Sequence, residues 1–280
     1  MAAQMSGKLI LCGTPIGNLE DVSERVLRTL SDADHIACED TRRTRKLLTH
    51  FGIKPHDLIV YNEGNERRQT RALVKLIAGG ETVALVSDAG MPGLSDPGFR
   101  LVRSCIEEGL NMEVVPGPTA AISALVVSGL PTGRFVFEGF LPRKSTERKR
   151  HLSELTDDPR TLIFYASPHR IEQTLDDLME VLGDRRAVLA RELTKLHEEV
   201  RRGRLAELLG GVRSDPPRGE IVVVVEGAID EHRAEVPPEE LARRARALMD
   251  EGIERREALS RVAKDAGVAR RKVFDALLEE

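Results

Sequence analysis

Tryptophan is absent from this 280-residue chain, and aromatic residues make up only 3% of it. Its cores must therefore be built from Leu, Val, Ile and Ala, and a base-stacking platform of the aromatic RNA-binding type is not expected. Cysteine is scarce as well. Cys12, Cys38 and Cys105 stand far apart with no CxxC pair, which argues against a zinc site or a disulfide framework. The seven histidines form no HExxH, and no metal is expected. No apolar run approaches the roughly 20 residues that cross a bilayer, and Met1–Lys8 lacks the apolar stretch of a secretion signal. A reduced, cytoplasmic location without a membrane partner is the expectation. Phosphate-binding fingerprints are missing too, since neither GxGxxG nor GxxxxGK[ST] occurs.

What is present points to a packed α/β protein. Hydrophobic residues are 41% of the chain, and its length suffices for two ordinary domains with a core each. The formal net charge of −4 gives no bulk signal for nucleic acid, but a local patch is what binds phosphates. Basic clusters occur at Arg42, Arg43, Arg45 and Lys46, at Arg143, Lys144, Arg148, Lys149 and Arg150, and at Arg201, Arg202 and Arg204. Each alone also reads as a solvated face.

Strands and helices alternate from the start. Lys8–Cys12, His35–Cys38, Leu58–Tyr61, Thr82–Ser87 and Met112–Val115 read as strands. Asp21 and Glu24 are spaced as a capping box for the first helix, Asp96-Pro97 as the start of another, and Thr119 opens a third. This alternation predicts a mostly parallel sheet. A second set follows Gly129-Leu130-Pro131, with strands at Phe135–Glu138, Thr161–Tyr165, Ala187–Glu192, Glu198–Arg202 and Ile221–Glu226, and a helix over Pro168–Leu182 capped by Ser167. The IVVVV and LIFY runs require both faces of that sheet to be covered. After Gly227 three helices are expected, resembling a helix-turn-helix unit or, equally, a helical cap or dimer arm. The expected domains are 1–122, 123–230 and 231–280.

Ligands of open α/β sheets sit beyond the carboxyl ends of strands, so the loops there carry the argument. Four are rich in Gly and Pro: Gly13–Asn18, Ser87–Gly98, Val115–Ala121 and Tyr165–Arg170. The second holds three glycines and two prolines in twelve residues, a backbone path with few free dihedrals. It begins with Asp88 directly after an apolar strand, which suits a ligand loop or a turn.

The segments GTPIGNLEDVSERVLRTLSDADHIACEDTRRTRKLL, YNEGNE, VALVSDAGMPGLSDPG, VVPGPTAAISAL, FYASPHR and ARELTKLHEE occur in this order. Together they resemble the bacterial small-subunit ribosomal RNA cytidine 2′-O-methyltransferases, a branch of the tetrapyrrole methylase superfamily. The resemblance covers about residues 8–227, and the last helices look like that family's terminal helix-turn-helix domain. It implies two α/β domains with a cleft between them that binds S-adenosylmethionine, a ribosomal RNA substrate of the small subunit, and a homodimer. Carried over residue by residue, the donor contacts are Pro15, Asp88, Ala89, Gly90, Met91, Leu94, Thr119 and Ala120 from the first domain. Tyr165, Ala166, Leu193, Gly219 and Glu220 come from the second. At 167–169 this chain has Ser-Pro-His where other members carry different small residues.

The chemistry so implied is an in-line displacement at a sulfonium methyl, in which alignment supplies much of the acceleration. The ribose hydroxyl needs a destination for its proton. Glu39 and Asp40 after the second strand and Glu63 of YNEGNE are the candidates, with Glu39 favoured. Asp40 also reads as a helix cap. Arg42, Arg43 and Lys144 are expected to hold RNA phosphates. The alternatives are a tetrapyrrole C-methyltransferase, a diphthine-type protein methyltransferase, and a nucleic-acid-binding sensor of the donor. The charged segments CEDTRRT and LPRKSTERKR favour the RNA reading over a macrocycle.

Overall fold

The computed structural model describes residues 7–228 and 237–278. Residues 1–227 form one compact unit and 228–280 a second.

The first unit starts with five strands: β1 (Lys8–Cys12), β2 (His35–Cys38), β3 (Leu58–Val60), β4 (Thr82–Val86) and β5 (Asn111–Val115). They are joined by α1 (Glu24–Asp32), α2 (Thr41–His50), α3 (Glu66–Ala78) and α4 (Phe99–Glu107). The sheet order is β3-β2-β4-β1-β5 with every pairing parallel. Period-two alternation splits the side chains between two cores. Ile10, Cys12, Ala84 and Val86 pack with Val26, Leu30 and Leu48 of α1 and α2, whereas Leu9, Val83 and Leu85 pack with Leu73, Ile77 and Leu101 of α3 and α4. Because all five strands run the same way, every loop that leaves a strand emerges at one edge.

The second sheet contains β6 (Phe135–Phe140), β7 (Thr161–Ala166), β8 (Arg186–Arg191), β9 (Glu199–Arg204) and β10 (Ile221–Val225), in the order β6-β7-β10-β8-β9. Only β6 and β7 are parallel; the other pairings are antiparallel. The parallel expectation thus holds for the first sheet alone. β8 and β9 follow each other with a short connection, which allows only antiparallel pairing. Both faces are covered, as the apolar runs require. Ile221, Val223 and Val225 face α6 (Ser145–Ser153), α7 (Ile171–Leu182) and α8 (Leu205–Ser214), while Val222 and Val224 face α5 (Ala120–Ser128). The division expected at 122/123 falls inside α5, whose Ala121, Ala124 and Leu125 pack on the second sheet. The division expected at 230/231 lies outside the described residues.

Three helix starts differ from the sequence reading. Ser23, not Asp21, caps α1, its hydroxyl accepting the Val26 amide. Asp96-Pro97 stays in the loop, because Gly98 at φ +147° breaks the path before α4. Ser167-Pro168-His169 forms a turn, closed by the Arg170 amide on the Ser167 carbonyl, and α7 begins at Ile171.

In the second unit, α9 (Pro238–Asp250), α10 (Arg255–Asp265) and α11 (Arg270–Leu278) enclose Leu241, Ala245, Leu259, Val262 and Val273. No described helix is long and apolar enough to cross a membrane.

The basic segment before β7 is held by a buried ion pair. Arg148 is 1% exposed, donates to Asp177 Oδ2 at 2.6 Å, and also donates to the carbonyls of Pro142 and Arg143. Replacing Arg148 leaves the buried Asp177 carboxylate with only the Ser145 hydroxyl and Lys149 at 3.5 Å, and breaking a buried pair costs about 3–5 kcal/mol. We expect Arg148→Met to lose about 3 kcal/mol in urea unfolding, and Arg148→Met with Asp177→Leu to recover most of it. A double variant as unstable as the single one would show that packing, not charge, holds the segment.

Candidate active site

The register of the first sheet sets the site. Cys12 lies beside Val86 and Val115, so the loops after β1, β4 and β5 leave side by side. The Gly13 amide donates to the Val115 carbonyl (3.0 Å), and Thr14 and Gly90 exchange both backbone bonds (2.9 and 3.1 Å). Gly13 and Gly117 touch backbone to backbone: a Cβ on Gly117 would meet the Gly13 carbonyl oxygen at 2.6 Å. Glycine at both positions is a steric requirement, because only its missing Cβ allows this approach. Gly90 adds a positive φ of 84°.

Between this edge and the second sheet lies a cavity of about 360 Å³, a size suited to a small organic ligand. Asp88, Ala89, Gly90, Met91 and Leu94 of the β4 loop, Thr119 and Ala120 at the start of α5, and Tyr165, Ala166, Gly219 and Glu220 of the second sheet all line it. Two residues expected to touch a donor, Pro15 and Leu193, are not among those lining this cavity. Pro15 lines a smaller cavity of about 210 Å³ behind Asp88 and Arg43, and Leu193 is buried in the core under α5.

Several lining residues escaped the sequence reading. Ile16, Ile221 and Val222 add apolar wall, and Ser95, Asp96, Ser167 and Pro168 add polar and turn positions. Asp96 was legible only as a helix start. Phe140 also lines the cavity and lies 5.4 Å from the Tyr165 ring, which in turn lies 5.0 Å from Phe137. Three of the chain's nine aromatic residues, Phe137, Phe140 and Tyr165, thus cluster at one wall. A bulge in β6 between Phe137 and Gly139 makes this possible, with Gly139 at φ +62° against Ser95.

Carboxylates concentrate at the β4 loop, where Asp88 and Asp96 line the cavity. The Asp88 amide donates to Glu39 Oε1 (3.3 Å), the Asp40 amide donates to Asp88 Oδ1 (3.2 Å), and Arg43 approaches Asp88 Oδ2 at 3.4 Å. Burial, then the negative charge of Asp96, pushes the Glu39 carboxyl up to about 7. Burial also raises Asp96 to about 6, opposed by a hydrogen bond from Ser87 and reinforced by the charge of Asp88. Asp40 behaves oppositely: its side chain caps α2 at the Arg42 amide and pairs with the Arg42 guanidinium, which lowers it to about 2. Glu63 lies elsewhere, in a surface depression with Arg67, Arg68 and Arg100. Of the three proton acceptors considered, only Glu39 uses its carboxylate to accept a hydrogen bond from the loop that forms the cavity.

The expected phosphate ligands are spread out. Arg43 lines both cavities, Arg42 is exposed beside Asp40, and Lys144 is exposed at the start of α6, 3.3 Å from Glu147. Glu66 positions the far end of the β4 loop, accepting the Gly98 amide and the Tyr61 hydroxyl on Oε1 and Arg100 on Oε2.

The family model of the Tetrapyrrole (Corrin/Porphyrin) Methylases matches residues 8–209, and the chain belongs to this family. The fold recurs in solved structures. A uroporphyrin-III-C-methyltransferase from Thermus thermophilus superposes with a TM-score of 0.54 at 24% identity, over 78% of this chain and 94% of that one. A diphthine synthase gives 0.61 at 15% identity, over 79% and 90%. In sequence, proteins named ribosomal RNA small subunit methyltransferase I are much more similar. That of Halalkalibacterium halodurans is 44% identical over 98% of this chain and 96% of its own length, and that of Escherichia coli O157:H7 is 42% identical over 100% and 97%. The Thermotoga maritima protein is 48% identical over 79% of this chain and 99% of itself. Within the superfamily, the chain belongs to the ribosomal RNA small subunit methyltransferase I family.

Glu39 also has a thermodynamic signature. Its folded value of about 7 exceeds the ordinary 4.5, so between these values the folded chain binds more protons than the unfolded one. Stability therefore falls as pH rises from about 4.5 to about 7 and stays lowered above that. Glu39→Gln keeps the acceptor for Asp88 and removes the charge. It is expected to raise the melting temperature by a few degrees near pH 8 and to leave it unchanged near pH 4. A loss of stability at both values would show that the carboxylate is held by a favourable partner.

Proposed function

We propose that this chain transfers a methyl group from S-adenosylmethionine to the ribose 2′-hydroxyl of a cytidine in small-subunit (16S) ribosomal RNA. The observation that carries the reading is the two-sheet cavity, with Asp88 and Asp96 in its wall, in a chain 42–48% identical to the three relatives compared above. The residues present suit the donor. Ile16, Met91, Leu94, Ile221 and Val222 offer apolar surface to a nucleoside and a thioether chain, and the carboxylates attract a cation. When bound, the donor supplies an electrophilic methyl on a positively charged sulfur.

The chain's own residues have three tasks. The rigid loop over Ser87–Gly98 and the start of α5 orient the reacting groups, which lowers the barrier by alignment. Glu39, with a value close to neutrality, accepts the proton of the ribose hydroxyl or positions the sugar; Asp96, which lines the cavity itself, is the second candidate for the same task. Arg42, Arg43 and Lys144 hold phosphates and so orient the RNA without reading its sequence. The substrate is read as the assembled small-subunit particle and the location as cytoplasmic. The exposed apolar side chains Ile122 and Val126 of α5 support a second copy of the chain as a partner.

Two measurements test the reading. Ala120→Leu fills the cavity beside Thr119 and is expected to reduce donor affinity in calorimetry at least about a hundredfold, since overpacking a formed site costs about 1–3 kcal/mol or more; unchanged affinity would move the donor elsewhere. Labelled donor with unmodified small-subunit particles is expected to mark one ribose in nuclease mapping, with a rate that rises through about pH 7 and loses that limb in Glu39→Gln. A mark on a base or on protein would overturn the assignment. A limb that survives Glu39→Gln and disappears in Asp96→Asn would transfer the proton to Asp96.

A further inference from the structure

Two of the three helices in the C-terminal unit begin at one depression of about 760 Å³. Arg255 and Arg256 open α10, Arg270 and Arg271 open α11, and all four line it, over an apolar floor of Leu259 and Phe274. Glu254 and Asp275 complete its lining. Residues 228–280 carry eleven Lys and Arg against thirteen Asp and Glu, so the positive charge is local to this depression and is not a property of the unit.

Elsewhere on this unit three arginines are matched by carboxylates. Glu240 holds Arg243 and Arg244, and Glu257 holds Arg261. At the depression only Arg271 has a carboxylate, Asp275 at 3.8 Å. Among the described residues, Arg255, Arg256 and Arg270 have none within ion-pairing distance. The Arg255 guanidinium instead lies over the Phe274 ring, 5.4 Å from its centroid, and that ring remains 39% exposed. Stability does not account for this pattern. Cations in the first turn of a helix oppose its dipole. Here two pairs of arginines sit in first turns; Glu257 offsets the pair in α10, but α11 has no acid in its own and Glu254 makes no capping bond. Such an arrangement is unfavourable for the isolated unit and favourable next to a polyanion.

We infer that this depression, which shares no lining residue with the methyl-transfer cavity, is a second RNA-contacting surface. The arginines take successive phosphates, and Phe274 with Leu259 takes a base or ribose of an unpaired segment. An acidic protein surface would satisfy the guanidinium groups but leave the ring in water. The inference rests on the proposed function only in choosing RNA over DNA.

The test uses the full-length chain with the triple variant Arg255→Ala, Arg256→Ala and Arg270→Ala, a labelled unpaired RNA of about 20 nucleotides, and fluorescence anisotropy across a salt series. Removing three phosphate contacts at about 0.7 each should lower the log–log salt slope by about 2 and weaken binding at least about tenfold near physiological salt. Phe274→Ala should weaken binding about tenfold with the slope retained. Donor affinity should be unchanged in both, and the triple variant should melt close to the parent, since removing cations at helix starts offsets the lost contact of Arg255 with the Phe274 ring. An unchanged slope and affinity overturns the inference, as does tighter binding of a DNA duplex than of RNA by the parent. If the parent failed to methylate particles while the triple variant still lost RNA affinity, the transferase reading would fail and this surface would stand.

Discussion

The site depends on one close contact, the approach of the β1 and β5 loops at Gly13 and Gly117, where no side chain has room. That contact, with the Thr14–Gly90 backbone pair beside it, locks three loops into one surface at the carboxyl edge of the parallel sheet. The cavity wall from Asp88 to Leu94 is an extension of the same surface. A ligand that meets it meets backbone already satisfied and already placed, so little ordering remains to be done on binding.

Electrostatics builds on this scaffold. Glu39, Asp88 and Asp96 are crowded together, and Arg43 is the cation that touches Asp88. Crowding and burial keep two of these acids near neutrality, where each can hold or release a proton at physiological pH. Asp40, one residue from Glu39, is removed from that role because its carboxylate serves α2 and Arg42. Adjacent residues in CEDTRRT thus divide between proton chemistry and helix capping by the direction in which each side chain leaves the strand end.

The same separation of duties extends along the chain. The second sheet contributes a hydrophobic wall that includes Tyr165, Ile221 and Val222. The buried Arg148–Asp177 pair holds the basic stretch before α6 in a defined path, so that Lys144 is presented from a fixed segment.

Much of this was written in local patterns. Alternating apolar strands, the Gly/Pro loops and the both-face burial of IVVVV follow from side-chain periodicity and from the restricted dihedrals of Gly and Pro, which act over a few residues. The loops that line the cavity were legible for that reason, and so was the resemblance of their ordered motifs to one methyltransferase family. What depended on distant pairing was not legible. The antiparallel second sheet, the turn that delays α7, the gathering of Phe137, Phe140 and Tyr165, and the arrival of Asp96 beside Asp88 and Glu39 are decided by register and by a bulge. Sequence determined which residues had the chemistry; only the packing of two sheets decided which of them share a wall, because burial and charge act through space and not along the chain.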